Sequence, residues 1–305
     1  QLNKLGNHHK TNGELFRAMA YIKAANAISE LGFVIEDVEQ IKDIKGIGPS
    51  IMSRITEIIV SGGLAEMEDI SKEHKKRIAA LEQFQKIYGI GPVAAAKLYD
   101  THNISTLQQL KKASRDNPDL LTNAQKIGLK YYKDIEKRIP SKFISSYENM
   151  LNEILSDAFG DTFRIVIAGS YRRGKRTSGD IDIMLLTNSF TLSEAVEVMI
   201  QYNLIVEILA LDVKKFMGIG SHKNKLHPYN FRVDIFMIRE VNWWVALVTH
   251  TGPKELNTHM RRVAAENNMR LSDQGLITNG KKVKVNSEQH LFNILKMDYI
   301  EPTSR

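Results

Sequence analysis

The apolar residues change their spacing near residue 140, and this change constrains the fold more than any other feature of the chain. Before it they recur at helical intervals: Leu15, Ala18, Met19, Ile22 and Ala25 fall at i, i+3, i+4, i+7 and i+10. Ile51, Ile55, Ile58 and Ile59 repeat the pattern, and Gly62-Gly63 is placed to end their helix. Further helices are expected over 75–87, 92–99, onward to about 138, and over 144–158. Beyond that the runs are short, β-branched and bounded by turn residues: FRIVIAG (163–169), DIDIMLLT (180–187), LIVEILAL (204–211) and FRVDIFMI (231–238). Such runs predict strands, and NGKKVKVN in the tail predicts a hairpin. Ile139-Pro140 reads as a linker, because proline discourages helix in the residue before it. The order predicts an α+β multidomain chain, helical in its first half and mixed in its second.

Composition narrows the function classes. A length of 305 residues with 43% apolar content allows more than one buried core. With no cysteine, disulfides, thiolate metal sites and a cysteine nucleophile are excluded. There is no run of about 18 apolar residues to cross a bilayer. The opening QLNKLGNHHK lacks a signal-peptide core. The expectation is a soluble intracellular protein of nucleus, cytoplasm or virion, neither secreted nor membrane-bound. A net charge of +7 favours a polyanionic partner. The basic runs KEHKKR (72–77) and RRGKR (172–176) are candidate contacts for it, although such runs are often only solvated faces.

One motif occurs twice. GIGPSIMSRI (46–55) returns as GIGPVAAAKL (89–98), each copy between two expected helices. Gly46, Gly48, Gly89 and Gly91 allow a tight turn and close approach of another backbone. Proline at the first helical turn leaves outward N–H groups suited to phosphate. A single copy could be a structural αα-hairpin, but two in a basic chain favour helix-hairpin-helix elements that grip DNA backbone.

The chemistry concentrates in AGSYRRGKRTSGDIDIML (168–185). Asp180 and Asp182, two apart on a strand, project from one face. Such a pair suits Mg²⁺, which keeps places for water and substrate phosphates. Asp234, on another expected strand with Arg232 on its face, supplies a third carboxylate; three would hold two metals. In the preceding turn Gly169 allows close approach, Ser170 offers a hydroxyl, and Arg173 can fork onto phosphate. A lone DxD is commonly a solvated strand end. The Gly-Ser turn and the distant aspartate argue against that here.

GSYRRG…SGDIDI, the later RVDIF, the two GIGP copies, KFMGIG (215–220), HTGPKELNTHMRR (250–262) and the closing EP together resemble the family X DNA polymerases, most closely the beta-type branch. The resemblance covers nearly the whole chain. It implies a helical lyase-like domain that binds DNA ends (1–75), a duplex-binding subdomain (76–140), a catalytic palm (141–240) and a nucleotide- and template-selecting subdomain (241–305). It implies that Asp180, Asp182 and Asp234 hold two Mg²⁺ ions, with Mn²⁺ as a substitute, and that the hairpins take Na⁺ or K⁺. By the same resemblance Gly169, Ser170, Arg173, Ser178, Gly179, Thr249, His250 and Gly252 meet the incoming dNTP, Asn257 the nascent base pair, and Arg261 the template. The implied partner is gapped or nicked double-stranded DNA, bound by a monomer.

Two departures from that family stand out. An aromatic pair usual beside the HTG turn is here Thr249-His250, which predicts weaker exclusion of ribonucleotides. A lysine that forms a Schiff base in lyase-competent relatives is here Arg54, which cannot form the imine. Ser50 and Glu66 stand where a lyase pocket tends to be basic. Weak or absent 5′-deoxyribose-phosphate lyase activity is therefore expected, with Arg17, Tyr21 and Arg54 left to bind a downstream phosphate. The leading expectation is a template-directed polymerase filling short repair gaps. Template-independent addition to a 3′ end and a non-catalytic DNA-binding scaffold are the alternatives.

Overall fold

Among the described residues of the first 130, every regular element is helical, as the spacing predicts. A computed structural model describes residues 1–31, 33–68, 72–222 and 224–305, without the side chains of Glu68, Lys72 and Glu73. Two units, Gln1–Lys130 and Tyr131–Arg305, are each internally compact. The first holds α1 (Leu2–Thr11), α2 (Leu15–Ser29), α3 (Pro49–Ser61), α4 (Ala65–Glu68), α5 (Lys72–Gln85), α6 (Pro92–Asp100), α7 (Leu107–Asp116) and most of α8 (Asn123–Ile135). Lys72 and Glu73 of the KEHKKR run therefore have side chains outside the described residues.

The predicted face of α2 is rotated. Ala18, Tyr21 and Ala24 are buried, whereas Leu15, Phe16 and Met19 are exposed. The cause is close packing: a Cβ on Gly6 of α1 would come within 2.8 Å of Ile22, so small residues fill the seam. Leu2, Leu5, Tyr21, Ile41, Ile51, Ile55 and Leu64 form the core of this region. Both GIGP copies fold alike. Gly46 and Gly89 take left-handed backbone (φ 98° and 81°), while Gly48 and Gly91 are extended N-caps before prolines at the starts of α3 and α6. Gly62 ends α3 at φ 75°, as expected.

The second unit holds β1 (Ile139–Pro140), α9 (Ser141–Phe159), β2 (Phe163–Ile167), α10 (Gly169–Arg172), β3 (Thr177–Ser178) and β4 (Asp180–Thr187). It continues through α11 (Leu192–Gln201), β5 (Ile205–Leu211), β6 (Lys215–Gly220), β7 (Phe231–Met237), α12 (Trp243–Thr251) and α13 (Lys254–Glu266). It closes with β8 (Met269–Ser272), β9 (Gly275–Thr278), β10 (Lys281–Val283) and α14 (Glu288–Ile294). A mixed five-stranded sheet has the order β2-β4-β7-β6-β5, with only β4 and β7 parallel. Ile181, Ile183 and Leu185 of β4 join α9 and α11 in the main core. Met184, on the other face, packs with Trp243, Ala246 and Leu247 of α12. By strand alternation Asp180 and Asp182 share Met184's face.

One expectation is corrected, and two elements go beyond the reading. Ile139-Pro140 is not a linker but a two-residue strand against Thr177 and Ser178, with Ile139 fully buried. KFMGIG is a strand, unmarked by alternation because Gly218 and Gly220 lie under the rings of Phe216 and Phe231. The tail hairpin does turn at Asn279-Gly280, both left-handed, but β8 extends it to a three-stranded sheet.

Candidate active site

The parallel pairing of β4 with β7 sets Asp182 directly beside Asp234 and Asp180 beside Arg232. Burial first, then the charges of Asp180 and Asp234, push the Asp182 carboxyl up to about 7, against the pull of Arg232 and Arg173. Burial and Asp234 likewise raise Asp180. Asp180 and Asp182 line a cleft of about 530 Å³ together with Gly169, Ser170 and Arg173 on one side. Thr249, His250, Gly252, Asn257 and Arg261 line its other wall. Asp234 is buried and its Oδ1 accepts from Arg232 Nη2 at 2.6 Å, so its carboxylate is turned to that partner. Among the described residues, no group of three His, Cys, Asp or Glu side chains is gathered closely enough to surround one ion.

The turn before β4 is built for contact with this face. Gly169 has φ 57°, and a Cβ there would collide with the Asp182 carboxylate, so glycine is required twice over. Ser170 donates its hydroxyl to Ser178 at 2.9 Å, which ties the turn to β3. Gly179 lies against Arg138: a Cβ there would stand 3.1 Å from the guanidinium. Arg138 in turn donates to the Thr177 carbonyl at 2.7 Å, and its charge acts on Asp180. Sequence reading missed Arg138; its only signal was a cation just before the strand that pairs with β3. Arg173, expected on phosphate, donates here to the main-chain oxygen of Thr251.

On the far wall, Thr249 Oγ1 donates back to the Val245 carbonyl at 2.9 Å, and Asn257 Nδ2 donates to the Thr249 carbonyl at 2.7 Å. His250 stacks on Phe236 with ring centroids 4.0 Å apart. Burial pushes its imidazole down to about 4, so it is neutral.

The first hairpin has a different character. Arg54 donates to Glu57 at 3.0 Å and also to Glu66, and it bonds Tyr21. The Glu57 bond, then Tyr21, raises its already high pKa. Arg17 reaches Glu14 at 3.3 Å, although it remains largely exposed. Ser50 opens α3 at its second position, next to Gly48, which has open space around it. The two hairpins are separate sites within the helical unit, and Asp180, Asp182 and Asp234 lie in the other.

A Gly-Ser turn set against a DxD strand, with a third aspartate in register on a parallel neighbour, defines the nucleotidyltransferase type of palm. Four family models then match in succession: a helix-hairpin-helix domain over 1–64, the fingers domain of DNA polymerase lambda over 82–136, the DNA polymerase beta palm over 138–240 and the DNA polymerase beta thumb over 246–305. The chain belongs to the family X DNA polymerases. It is 30% identical to DNA polymerase lambda of Arabidopsis thaliana, over 99% of this chain and 60% of that protein. It is 26% identical to DNA polymerase lambda of Rattus norvegicus, over 100% of this chain and 55% of that protein. It is 25% identical to DNA nucleotidylexotransferase of Xenopus laevis, over 95% of this chain and 64% of that protein. It therefore spans about 55–64% of the length of these curated relatives.

Proposed function

We propose that this chain is a template-directed DNA polymerase that fills short gaps, with little or no 5′-deoxyribose-phosphate lyase activity. The observation that carries the reading is the register of Asp182 with Asp234, two residues from Asp180, with Asp182 packed against Gly169 of the Gly-Ser turn at one cleft. Backbone gripping alone, as in a scaffold, has no use for acids crowded until one is raised to about 7.

The crowded carboxylates fit a divalent cation, Mg²⁺ with Mn²⁺ as substitute, held by Asp180 and Asp182. Asp234 would join them by exchanging its bond to Arg232. When bound, the metal supplies charge neutralisation and lowers the proton affinity of an attacking hydroxyl. The chain's own residues do the rest. Gly169, Ser170 and Arg173 hold the triphosphate, with Ser178, Gly179 and Arg138 fixing the turn. Since the acids set the phosphate end of the cleft, the opposite wall takes the nucleoside: Thr249, His250, Gly252 and Asn257 meet sugar and base, and Arg261 the template. Positioning and electrostatics then supply most of the acceleration. The substrates are dNTPs and gapped or nicked DNA, gripped along its backbone by the two hairpins. The protein acts as a monomer inside the cell. The four-part division at residues 75, 140 and 240 belongs to the same reading.

The test is extension of a one-nucleotide gap with and without a 5′-phosphate, beside an Asp234→Ala control. Absence of extension by the wild type, or full extension by the control, would refute it. A second reading, template-independent addition, is favoured by the nucleotidylexotransferase relative; equal extension of a primer without template would select it. Because the Thr249 side chain is small and bonded back into its helix, ribonucleotides are expected to compete well. Strong rejection of a matched rNTP against dNTP would contradict this.

A further inference from the structure

The two adjacent arginines of the GSYRRG turn grip one residue from opposite sides. Arg173, on the cleft, donates to the Thr251 carbonyl. Arg172 donates from Nη1 to Thr251 Oγ1 at 2.8 Å. The same Nη1 reaches Glu288 Oε1, and Nη2 reaches Oε2, both at 2.9 Å. Arg305 Nη1 donates to Glu288 Oε1 at 3.2 Å, and Arg305 Nε to the Ile300 carbonyl at 2.8 Å. The Arg305 guanidinium lies over the rings of Phe292 and Tyr299. The Arg305 side chain is fully buried and that of Glu288 is 7% exposed. Burial alone would raise the Glu288 carboxyl, but Arg172 and Arg305 outweigh it and hold it below its usual range.

A buried ionic triad is a poor device for stability alone, since well-packed apolar residues do as well. What it fixes is geometry. The bidentate pair locks the plane of Arg172, which leaves one Nη1 hydrogen aimed at Thr251 Oγ1. Thr251 is wholly buried, ends α12, and follows the cleft residues Thr249 and His250; α13, with Asn257 and Arg261, starts three residues later. Arg173 holds the Thr251 carbonyl through Nη1 alone, so a phosphate that draws the guanidinium into the cleft breaks its single bond there. Only the Arg172 side of the grip then remains.

We propose that Arg172, Glu288 and Arg305 form a buried strut that holds Thr251, and with it the nucleoside wall, in place when Arg173 moves from the Thr251 carbonyl to the triphosphate. Glu288 is thus a positioning residue, acting through Arg172 rather than touching substrate. The proposal rests on the nucleotide-binding reading of the cleft.

The test compares wild type, Thr251→Val and Glu288→Gln. Thr251→Val keeps the side-chain volume and the Arg172–Glu288 pair, and so guards against a misfolded Glu288→Gln. Thermal unfolding, gapped-DNA affinity, and kcat and KM for a dNTP are measured well below both unfolding midpoints. The strut predicts that Thr251→Val lowers kcat/KM for the dNTP at least fivefold with DNA affinity unchanged, and that Glu288→Gln, if folded, does the same. A lowered midpoint with kcat/KM within twofold of wild type for Thr251→Val would reduce the triad to a structural feature and overturn the proposal. Should the wild type add no nucleotide, the polymerase reading fails separately. The strut is then judged by direct titration with dATP, where unchanged affinity in Thr251→Val overturns it.

Discussion

The first hairpin and the palm cleft both gather charge, but in opposite ways. Around Arg54 the charges are matched in the sense that each carboxylate has a cationic partner: Glu57 and Glu66 each take a guanidinium nitrogen, and Glu14 has Arg17. In the cleft, burial first and neighbouring carboxylates second push the acids up: Asp234 acts on Asp180, and Asp180 with Asp234 acts on Asp182, against too few cations. A matched cluster is at rest: the Ala65 N–H and then Arg54 hold the Glu57 carboxyl down, and the Glu57 bond holds Arg54 up, so both stay charged. An unmatched one stores the tendency to take up a cation or a proton, which chemistry can use. On this account the working site is the unmatched cluster.

The largest effect should come from removing the mismatch. Asp182→Asn is expected to lower gap filling on the order of a thousandfold, the upper range for removing one electrostatic contact to a transition state. Single-turnover extension measures it. A loss under tenfold would break the contrast, because the cleft's charge would then be incidental.

The next effect tests whether matching itself silences the hairpin. Borohydride should trap no adduct between the wild type and an incised abasic substrate. Arg54→Lys alone should trap little, since a lysine between two carboxylates keeps its proton. Arg54→Lys combined with Glu66→Gln should trap several times more, read as labelled band on a denaturing gel. Equal trapping by both variants would show that the arginine, and not its carboxylates, is the whole obstacle.

Burial should decide what a matched cluster is worth. Glu288→Ala strands the buried Arg305 and the partly buried Arg172 and is expected to cost about 3–5 kcal/mol. Arg54→Ala breaks a partly exposed cluster and should cost less than about 1 kcal/mol. Denaturant unfolding of both compares them directly, and equal costs would contradict the ranking.

A smaller effect than that of Glu288→Ala concerns a neutral member of the cleft. His250 falls from an unfolded value of 6.5 to about 4 in the fold. Its contribution is therefore present above pH 6.5 and lost as pH falls through 4. His250→Phe should lose about 2 kcal/mol less stability than wild type between pH 7 and 4.5. Parallel losses in the two proteins would show that His250 takes up its proton alike in the folded and the unfolded chain.

Much of this was legible in the sequence, for physical reasons that differ by element. Asp180 and Asp182 were readable because strand alternation has a fixed period, and Gly46 and Gly89 because left-handed backbone selects glycine. The strand over Lys215–Gly220 was not, since its glycines answer to phenylalanine rings rather than to a pattern. The α2 face was misjudged because its neighbour's Gly6 invites small residues where the count of large ones pointed elsewhere. Arg172, Glu288 and Arg305 meet across 116 and 17 residues of chain, and nothing local in the sequence pairs them. The engagement of Arg173 with Thr251 and of Arg54 with Glu66 likewise appears only once the chain is folded.

One substrate can put both clusters to the test together: a one-nucleotide gap whose downstream strand carries a 5′-deoxyribose phosphate. Nucleotide addition and borohydride-trapped adduct are measured in the same reaction, with wild type and Asp182→Asn. The account predicts addition without adduct for the wild type, and neither for the variant. A wild-type adduct, or addition that survives Asp182→Asn, would contradict it.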